Sequence, residues 1–312
     1  MDGESAAPDR ESVWRPGRPC PVGQLLGIHR RGSGDPTYRV DDRGRHWRGV
    51  RTPQGPATLV VEARPAEGAV NAAAWGPGAD WAVGSVPALL GALDDPSGFE
   101  PRHPVLEEAV RRYPHFRIGR TGLMWESLMP AVVEQKVTGK EAFAGYRRVV
   151  HRFGDRAPGP GRGLRLWVQP SPETVAMIPS WSWLHAHVDP ARSRTLVRAA
   201  RVAGSLERVV DLPGDEAARR LRSLPGVGEW TAAEVRQRAL GDPDAVSFGD
   251  YHVAKDVGWA LTGRPFDDDE LREHLEPWRP HRGRVPAYLA LAGHHRPRRG
   301  PRIAPRTHLP VR

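Results

Sequence analysis

The stretch Leu224-Pro225-Gly226-Val227-Gly228-Glu229-Trp230-Thr231-Ala232 constrains this chain more than any other. Helix-forming sequence precedes it, from Ala217 to Leu221, and helix-forming sequence follows it at once. Two glycines two positions apart allow a tight turn with positive φ, which other residues avoid. Because the next helix starts immediately, the unpaired N–H groups of its first turn point outward. Such an N-terminus binds a phosphate without reading a base, and contacts of that kind anchor a protein on a duplex independently of sequence. The Thr231 hydroxyl is expected on the same phosphate. Gly-x-Gly alone is often an ordinary turn; the longer pattern between two helices is much rarer.

Around this hairpin the chain divides by character. Residues 1–14 are small, polar and charged without periodicity, and read as a disordered tail. Residues 15–100 read as a small α/β sheet domain. Thr37–Val40, Trp47–Thr52 and Ala57–Ala63 are β-like runs, separated by turn signals at Asp41-Asp42-Arg43-Gly44 and Thr52-Pro53-Gln54-Gly55. Residues 67–95 have helical tendency. From 101 to 292 the pattern is helical. Val105, Leu106 and Val110 mark one amphipathic face; Leu128, Val132 and Val133 mark another, in a helix expected to run past Phe143. Ser171-Pro172 and Asp189-Pro190 are N-cap-plus-proline starts. Further helices are expected at about 215–223, 229–240, 251–262 and 268–276, and a last one near Gly283. The Gly/Pro-rich stretch from Phe153 to Gly163 reads as a surface loop, and 293–312 as a basic tail. The fold class is therefore α+β: a small N-terminal antiparallel sheet domain, then an all-helical, two-lobed body containing a helix-hairpin-helix motif.

The formal net charge is +9, of which six arginines within residues 293–312, with no acid among them, supply +6. A basic surplus suits a polyanion partner such as nucleic acid. The single cysteine, Cys20, excludes an intrachain disulfide and a cysteine-held zinc or iron–sulfur site. The histidines show no ligand spacing with carboxylates, so no catalytic metal is expected. No apolar run of roughly 18 residues exists, so no membrane span is expected. Residues 1–10 lack the apolar centre of a signal peptide. A monomeric, cytoplasmic, nucleoid-associated protein is the expectation.

About twenty residues past the hairpin comes Val246-Ser247-Phe248-Gly249-Asp250-Tyr251-His252-Val253. Asp250 stands before a helix with Val253, Val257 and Leu261 on one face. By itself, an aspartate there is a helix cap. The hairpin at a short distance upstream, and the aromatic residues Trp230, Phe248, Tyr251 and Trp259 in the same region, change that reading. Hairpin plus downstream aspartate resembles the helix-hairpin-helix base-excision DNA glycosylase superfamily, and within it the bacterial 3-methyladenine DNA glycosylase II branch. The resemblance covers about residues 20–292 and is strongest over 221–255. Glu134-Gln135-Lys136-Val137-Thr138, after Trp125, and Trp278-Arg279-Pro280-His281-Arg282 are further matches.

The resemblance implies a monofunctional enzyme that flips alkylated purines (3-methyladenine or 7-methylguanine type) out of double-stranded DNA and hydrolyses the N-glycosidic bond. Asp250 would be the catalytic carboxylate, stabilising the oxocarbenium ion and orienting water. Trp230, Tyr251, Glu234 and Trp125 would line the base pocket. Leu224, Gly226, Gly228 and Thr231 would form the DNA-binding hairpin, and Gln135 and Lys136 the wedge or groove contact. Bifunctional relatives carry a Schiff-base lysine where this chain has Trp230, so no AP lyase activity is expected. No cofactor is required; a structural monovalent cation or Mg at the hairpin carbonyls is implied by resemblance alone. The chain departs from the branch at Lys136, in place of an apolar wedge, and at Glu234 and Ala290, where aromatic residues are expected. Gly249 replaces a frequent acid. Trp125, Trp181 and Trp183 are candidates to refill the pocket. The alternatives are a glycosylase for other or bulkier lesions, or a non-catalytic helix-hairpin-helix DNA-binding protein.

Overall fold

The computed structural model describes residues 7–297. Five strands, β1 (Arg10–Trp14), β2 (Tyr38–Val40), β3 (His46–Thr52), β4 (Gly55–Arg64) and β5 (Ala69–Trp75), form one antiparallel sheet in the order β1-β5-β4-β3-β2. Side chains alternate between its faces. Ala57, Leu59 and Val61 of β4 join Val70, Ala72 and Ala74 of β5 against helices α1 (Val22–Gly27) and α2 (Ala79–Leu89). On the opposite face Trp47 stacks on Trp75 at 5.8 Å, and both pack with Val60 against Ala157, Leu166 and Val168. Both faces are buried, so a slip of one residue would exchange two apolar sets that fit different partners.

Three expectations change here. Residues 10–14 are not a disordered tail but the edge strand β1, paired with β5 from Arg10↔Ala74 to Trp14↔Val70. Their polar composition is that of a strand with much of its surface in water. Residues 69–75 are strand rather than helix. Their small side chains let α2 lie close across β5, and pairing on both edges overrides alanine's helix propensity. The 153–163 stretch is no open surface loop, because Ala157 is fully buried and the Thr58 hydroxyl donates to Pro158 O at 2.6 Å.

The helical body follows: α3 (Pro104–Arg112), α4 (Met124–Val133), α5 (Gly139–Phe153), α6 (Pro172–Met177), α7 (Ser180–His185), α8 (Pro190–Arg201), α9 (Ala203–Glu207), α10 (Gly214–Arg222), α11 (Glu229–Val235), α12 (Val253–Thr262), α13 (Asp268–Leu275) and α14 (Arg284–Leu291). A short hairpin, β6 (Asp155–Arg156) with β7 (Trp167–Val168), covers the sheet. The expected helix from Leu128 past Phe143 is two helices. The chain turns at Glu134–Thr138, Lys136 takes φ 54°, and Thr138 and Glu141 form a capping box that starts α5.

The body has two apolar cores. One gathers Met124 to Ala239, from α4 through α11; the other gathers Leu106 and Ala109 of α3 with Val246 to Leu289. The chain enters the second lobe, returns to build the first, and crosses back through residues 241–250. The hairpin ends one lobe and Asp250 opens the other, so the two meet at the junction. The fully buried Arg284 of α14 ties the second lobe to the sheet domain, donating to Asp94 and to Asp95 O. Among the described residues no helix is long and apolar enough to cross a membrane. Most of the basic tail, 298–312, and residues 1–6 lie outside the described residues.

Candidate active site and nucleic-acid interface

Residues 223–228 join α10 to α11, and α11 runs on through a wide turn of π-helix, Arg236–Leu240. The two hairpin glycines serve different purposes. Gly226 has φ 97°, and a Cβ there would lie 2.0 Å from Thr195 Oγ1 on α8. Gly228 has φ −91°, so the expectation of positive φ holds for Gly226 alone. A Cβ on Gly228 would meet nothing within 4 Å, which leaves the backbone open to an approaching group. Pro225, Gly226 and Gly228 are exposed, whereas Val227 is buried and Leu224 packs half-buried on the core. The tip therefore presents backbone, and its apolar residues anchor it.

Two assignments from the sequence are corrected here. Thr231 is 2% exposed, and its hydroxyl accepts Gln135 Nε2 at 2.8 Å, so it faces inward rather than toward a phosphate. Gln135 also donates to Gly226 O at 3.0 Å. Its amide is a strut between α4 and the hairpin, and it is not available as a wedge. Lys136, beside it, stands exposed at the apex of the turn with left-handed φ. Glu229, at the start of α11, is forked by Arg272 of α13. That hydrogen bond holds its carboxyl below the usual range and offsets an acid beside the hairpin.

Asp250 is held from both sides. Its Oδ1 accepts His252 N at 2.7 Å and Val253 N at 3.1 Å, capping the turn into α12. Its Oδ2 accepts the Trp230 indole N–H at 3.2 Å. The cap fixes one oxygen, and the other points across the junction at the residue after the hairpin. Gly249, exposed with φ 86°, makes the turn that delivers it. Tyr251 is 60% exposed, and Lys255 Nζ stands 3.6 Å from its ring centroid. His252 is exposed as well, edge-on to Tyr251.

Beneath this pair lies a charged cluster. Glu234 has both oxygens occupied, Oε1 by Ser247 Oγ at 2.5 Å and Oε2 by Arg238 at 2.7 Å. Neither oxygen is thus left free for a further partner. Burial works against its ionisation, but Arg238, Ser247 and Arg31 outweigh it and hold the carboxyl low. Glu134, at the end of α4, faces Arg31 of the sheet domain at 3.3 Å. Burial pushes Glu134 up; Arg31 and Arg238 pull it down, and Glu234 and Asp250 push it further up. Trp125 is corrected too: it is 4% exposed within the first lobe's core, its indole donating to Pro170 O at 3.0 Å, and it is not a pocket wall. Trp183 belongs to the same core, Trp181 lies exposed on α7 beneath Arg152, and Ala290 is exposed on α14.

Sequence reasoning missed Arg31 and Arg238, and passed over Glu134 inside a segment it had singled out. The spacing of Glu234 and Arg238, four apart, was a readable signal for their pair; Arg31 carries no local signal. Among the described residues no group of three or more His, Cys, Asp or Glu side chains is gathered to hold a metal ion. A hairpin cation would rest on carbonyl oxygens, and that of Gly226 already accepts Gln135.

No family model matches the sequence. The chain is 33% identical over 192 residues to a protein of Mycobacterium tuberculosis named probable bifunctional transcriptional activator/DNA repair enzyme AlkA, a match covering 60% of this chain and 37% of that one. It is 24% identical over 191 residues to the DNA-3-methyladenine glycosylase of Bacillus subtilis, covering 60% of this chain and 62% of that one. The chain thus spans less than two thirds of either relative's length. Among solved structures, the 3-methyladenine DNA-glycosylase from Archaeoglobus fulgidus superposes with a TM-score of 0.76 at 18% identity, over 90% of this chain and 97% of that one. The chain therefore has the fold of that DNA glycosylase, sheet domain and two-lobed helical body together.

Proposed function

We propose that this protein is a monofunctional DNA glycosylase that hydrolyses the N-glycosidic bond of alkylated purines, acting as a monomer on double-stranded DNA. The observation that carries the reading is Asp250. Its carboxylate is fixed by two backbone N–H groups and an indole N–H at the junction of the lobes, one residue pair away from an exposed hairpin tip. The hairpin N–H groups and the open face of Gly228 take the phosphate backbone. The damaged nucleotide rotates out of the stack into the junction. As the base leaves, positive charge grows on the sugar, and Asp250 stabilises it and orients the attacking water. Trp230, half-exposed beside Asp250, offers an aromatic face to a cationic base, worth roughly 0.5–2 kcal/mol. An indole cannot form a Schiff base, so cleavage stops at the abasic site. Lys136 reaches toward the strand from the exposed turn.

The test is release of free methylated bases from dimethyl-sulfate-treated DNA by the wild type and by Asp250→Asn. Asparagine keeps the Oδ1 acceptor for the cap, so the variant stays folded, and release falls by about a hundredfold or more. Equal release by both proteins would reduce Asp250 to a helix cap. No release by either, with DNA binding intact, would favour the second reading, a glycosylase for other lesions or a binding protein. That reading draws support from Glu234, a carboxylate paired with Arg238 at a position where the resemblance implies an aromatic residue.

A further inference from the structure

The segment that delivers Asp250 packs in one lobe and is gripped by the other. Val246 and Phe248 belong to the second lobe's core, whereas Ala232, Val235 and Ala239 of α11 and its extension belong to the first. On that helix Trp230, Glu234 and Gln237, spaced four and three apart, share one face. All three reach residues 245–250. Gln237 Nε2 donates to Ala245 O at 3.0 Å and to Ser247 Oγ at 3.2 Å. Ser247 Oγ donates to Glu234 Oε1 at 2.5 Å. The Trp230 indole donates to Asp250 Oδ2 at 3.2 Å. Ser247 carries the grip one step further, because its carbonyl oxygen accepts Asp250 N at 3.1 Å.

Ser247 is 5% exposed, and both partners of its hydroxyl are held from behind. Arg238 donates to the other oxygen of Glu234 at 2.7 Å and helps to keep that carboxyl ionised. A hydroxyl on an ionised acceptor makes a charge-assisted bond, roughly twice as strong as a neutral one. The hairpin sits at the N-terminal end of the same helix. The element that offers its N–H groups to a phosphate therefore also sets where the carboxylate stands. We propose that Ser247, held by Glu234 and Gln237, is a positioning residue that fixes Asp250 relative to the hairpin. The inference rests on the glycosylase reading above.

A second link across the junction, Glu229 with Arg272, is 40% and 42% exposed at its side chains, so solvent weakens it. The Ser247 link is buried and keeps its strength. Without the hydroxyl, Gln237 retains Ala245 O and Glu234 retains Arg238. What goes is the bond that ties the turn before Asp250 to α11. A shift of about 1 Å at a reacting group costs about a hundredfold in rate; with the Trp230 indole and the Oδ1 cap still in place, about tenfold is expected here.

The experiment measures single-turnover release of 7-methylguanine from a methylated duplex, and binding of the same duplex by anisotropy. The proteins are wild type, Ser247→Ala, Asp250→Asn and the double variant. Ser247→Ala is expected to slow release about tenfold at an unchanged dissociation constant, since the hairpin is untouched. In the Asp250→Asn background the same substitution is expected to cost less than about twofold, because nothing is left to position. An equal cost in both backgrounds, or none in either, overturns the positioning role while the glycosylase reading stands. Weaker binding with an unchanged rate in the bound complex overturns it too, making Ser247 part of the DNA interface. If the wild type releases no base, or Asp250→Asn releases it as fast, the reading of the site itself fails and this inference with it. Thermal melts check folding. Should Ser247→Ala not fold, Gln237→Met removes the second hold on Ser247 and is expected to show a smaller loss with the same dependence on Asp250; a loss independent of Asp250 would again overturn the role.

Discussion

Replacing Gly226 by alanine tests the hairpin as a built object. The alanine would have to keep φ 97°, at a cost of roughly 1–2 kcal/mol for an L-residue. Its Cβ would lie 2.0 Å from Thr195 Oγ1 and 3.0 Å from both Thr195 Cβ and Cγ2, well inside ordinary contact. Thr195 is 3% exposed, and its hydroxyl bonds Ala191 O at 3.0 Å within α8, so rotation away gives up that bond. Overpacking of this kind adds about 1–3 kcal/mol. The total expected is about 2–5 kcal/mol, read as a shift of the urea midpoint at unchanged slope. Thr195→Ala removes Oγ1 and Cγ2, leaving one contact at 3.0 Å, so the double variant should recover about 1–2 kcal/mol relative to the sum of the singles. A Gly226→Ala protein within about 0.5 kcal/mol of wild type, or strictly additive energies, would refute the argument from both strain and clash.

Gly228→Ala is expected to leave stability within about 0.5 kcal/mol, since a Cβ there meets nothing and φ is ordinary, yet to weaken duplex binding in a fluorescence anisotropy titration. Unchanged affinity would move the phosphate contact elsewhere. Arg284→Met should destabilise by about 3–5 kcal/mol, because it strands Asp94, whose side chain is 2% exposed, without its cation; denaturation within about 1 kcal/mol of wild type would contradict this. Asp41 gives a pH prediction. Burial raises its pKa, but hydrogen bonds from the Trp47 indole, from Arg45 and from Arg43 N outweigh it and hold the pKa at about 2 against an ordinary 3.8. A depressed carboxylate stabilises the fold above its unfolded pKa and loses that contribution as pH falls through the folded one. Wild type should therefore lose stability between about pH 4 and pH 2, with Asp41→Asn showing a shallower decline over that window.

What the sequence determined was local. The hairpin needs only a glycine pattern between two helical segments, and both are read from neighbouring residues. The cap position of Asp250, the starts at Ser171-Pro172 and Asp189-Pro190, and the succession of a sheet and then helices are equally short-range. What only the tertiary structure decided depends on partners far away in sequence. Arg10–Trp14 is a strand because β5, some sixty residues on, offers a free edge. The alanines of 69–75 extend because they are paired on both sides. Trp125, Thr231 and Gln135 look like site residues in a one-dimensional reading, but packing turns the first two inward and spends the amide of the third on the hairpin. Arg31 enters the site from another domain, where no spacing rule reaches. A hydrogen bond or ion pair across a hundred residues leaves no periodicity, so the sequence specifies where the chemistry is anchored and the fold decides which side chains face it.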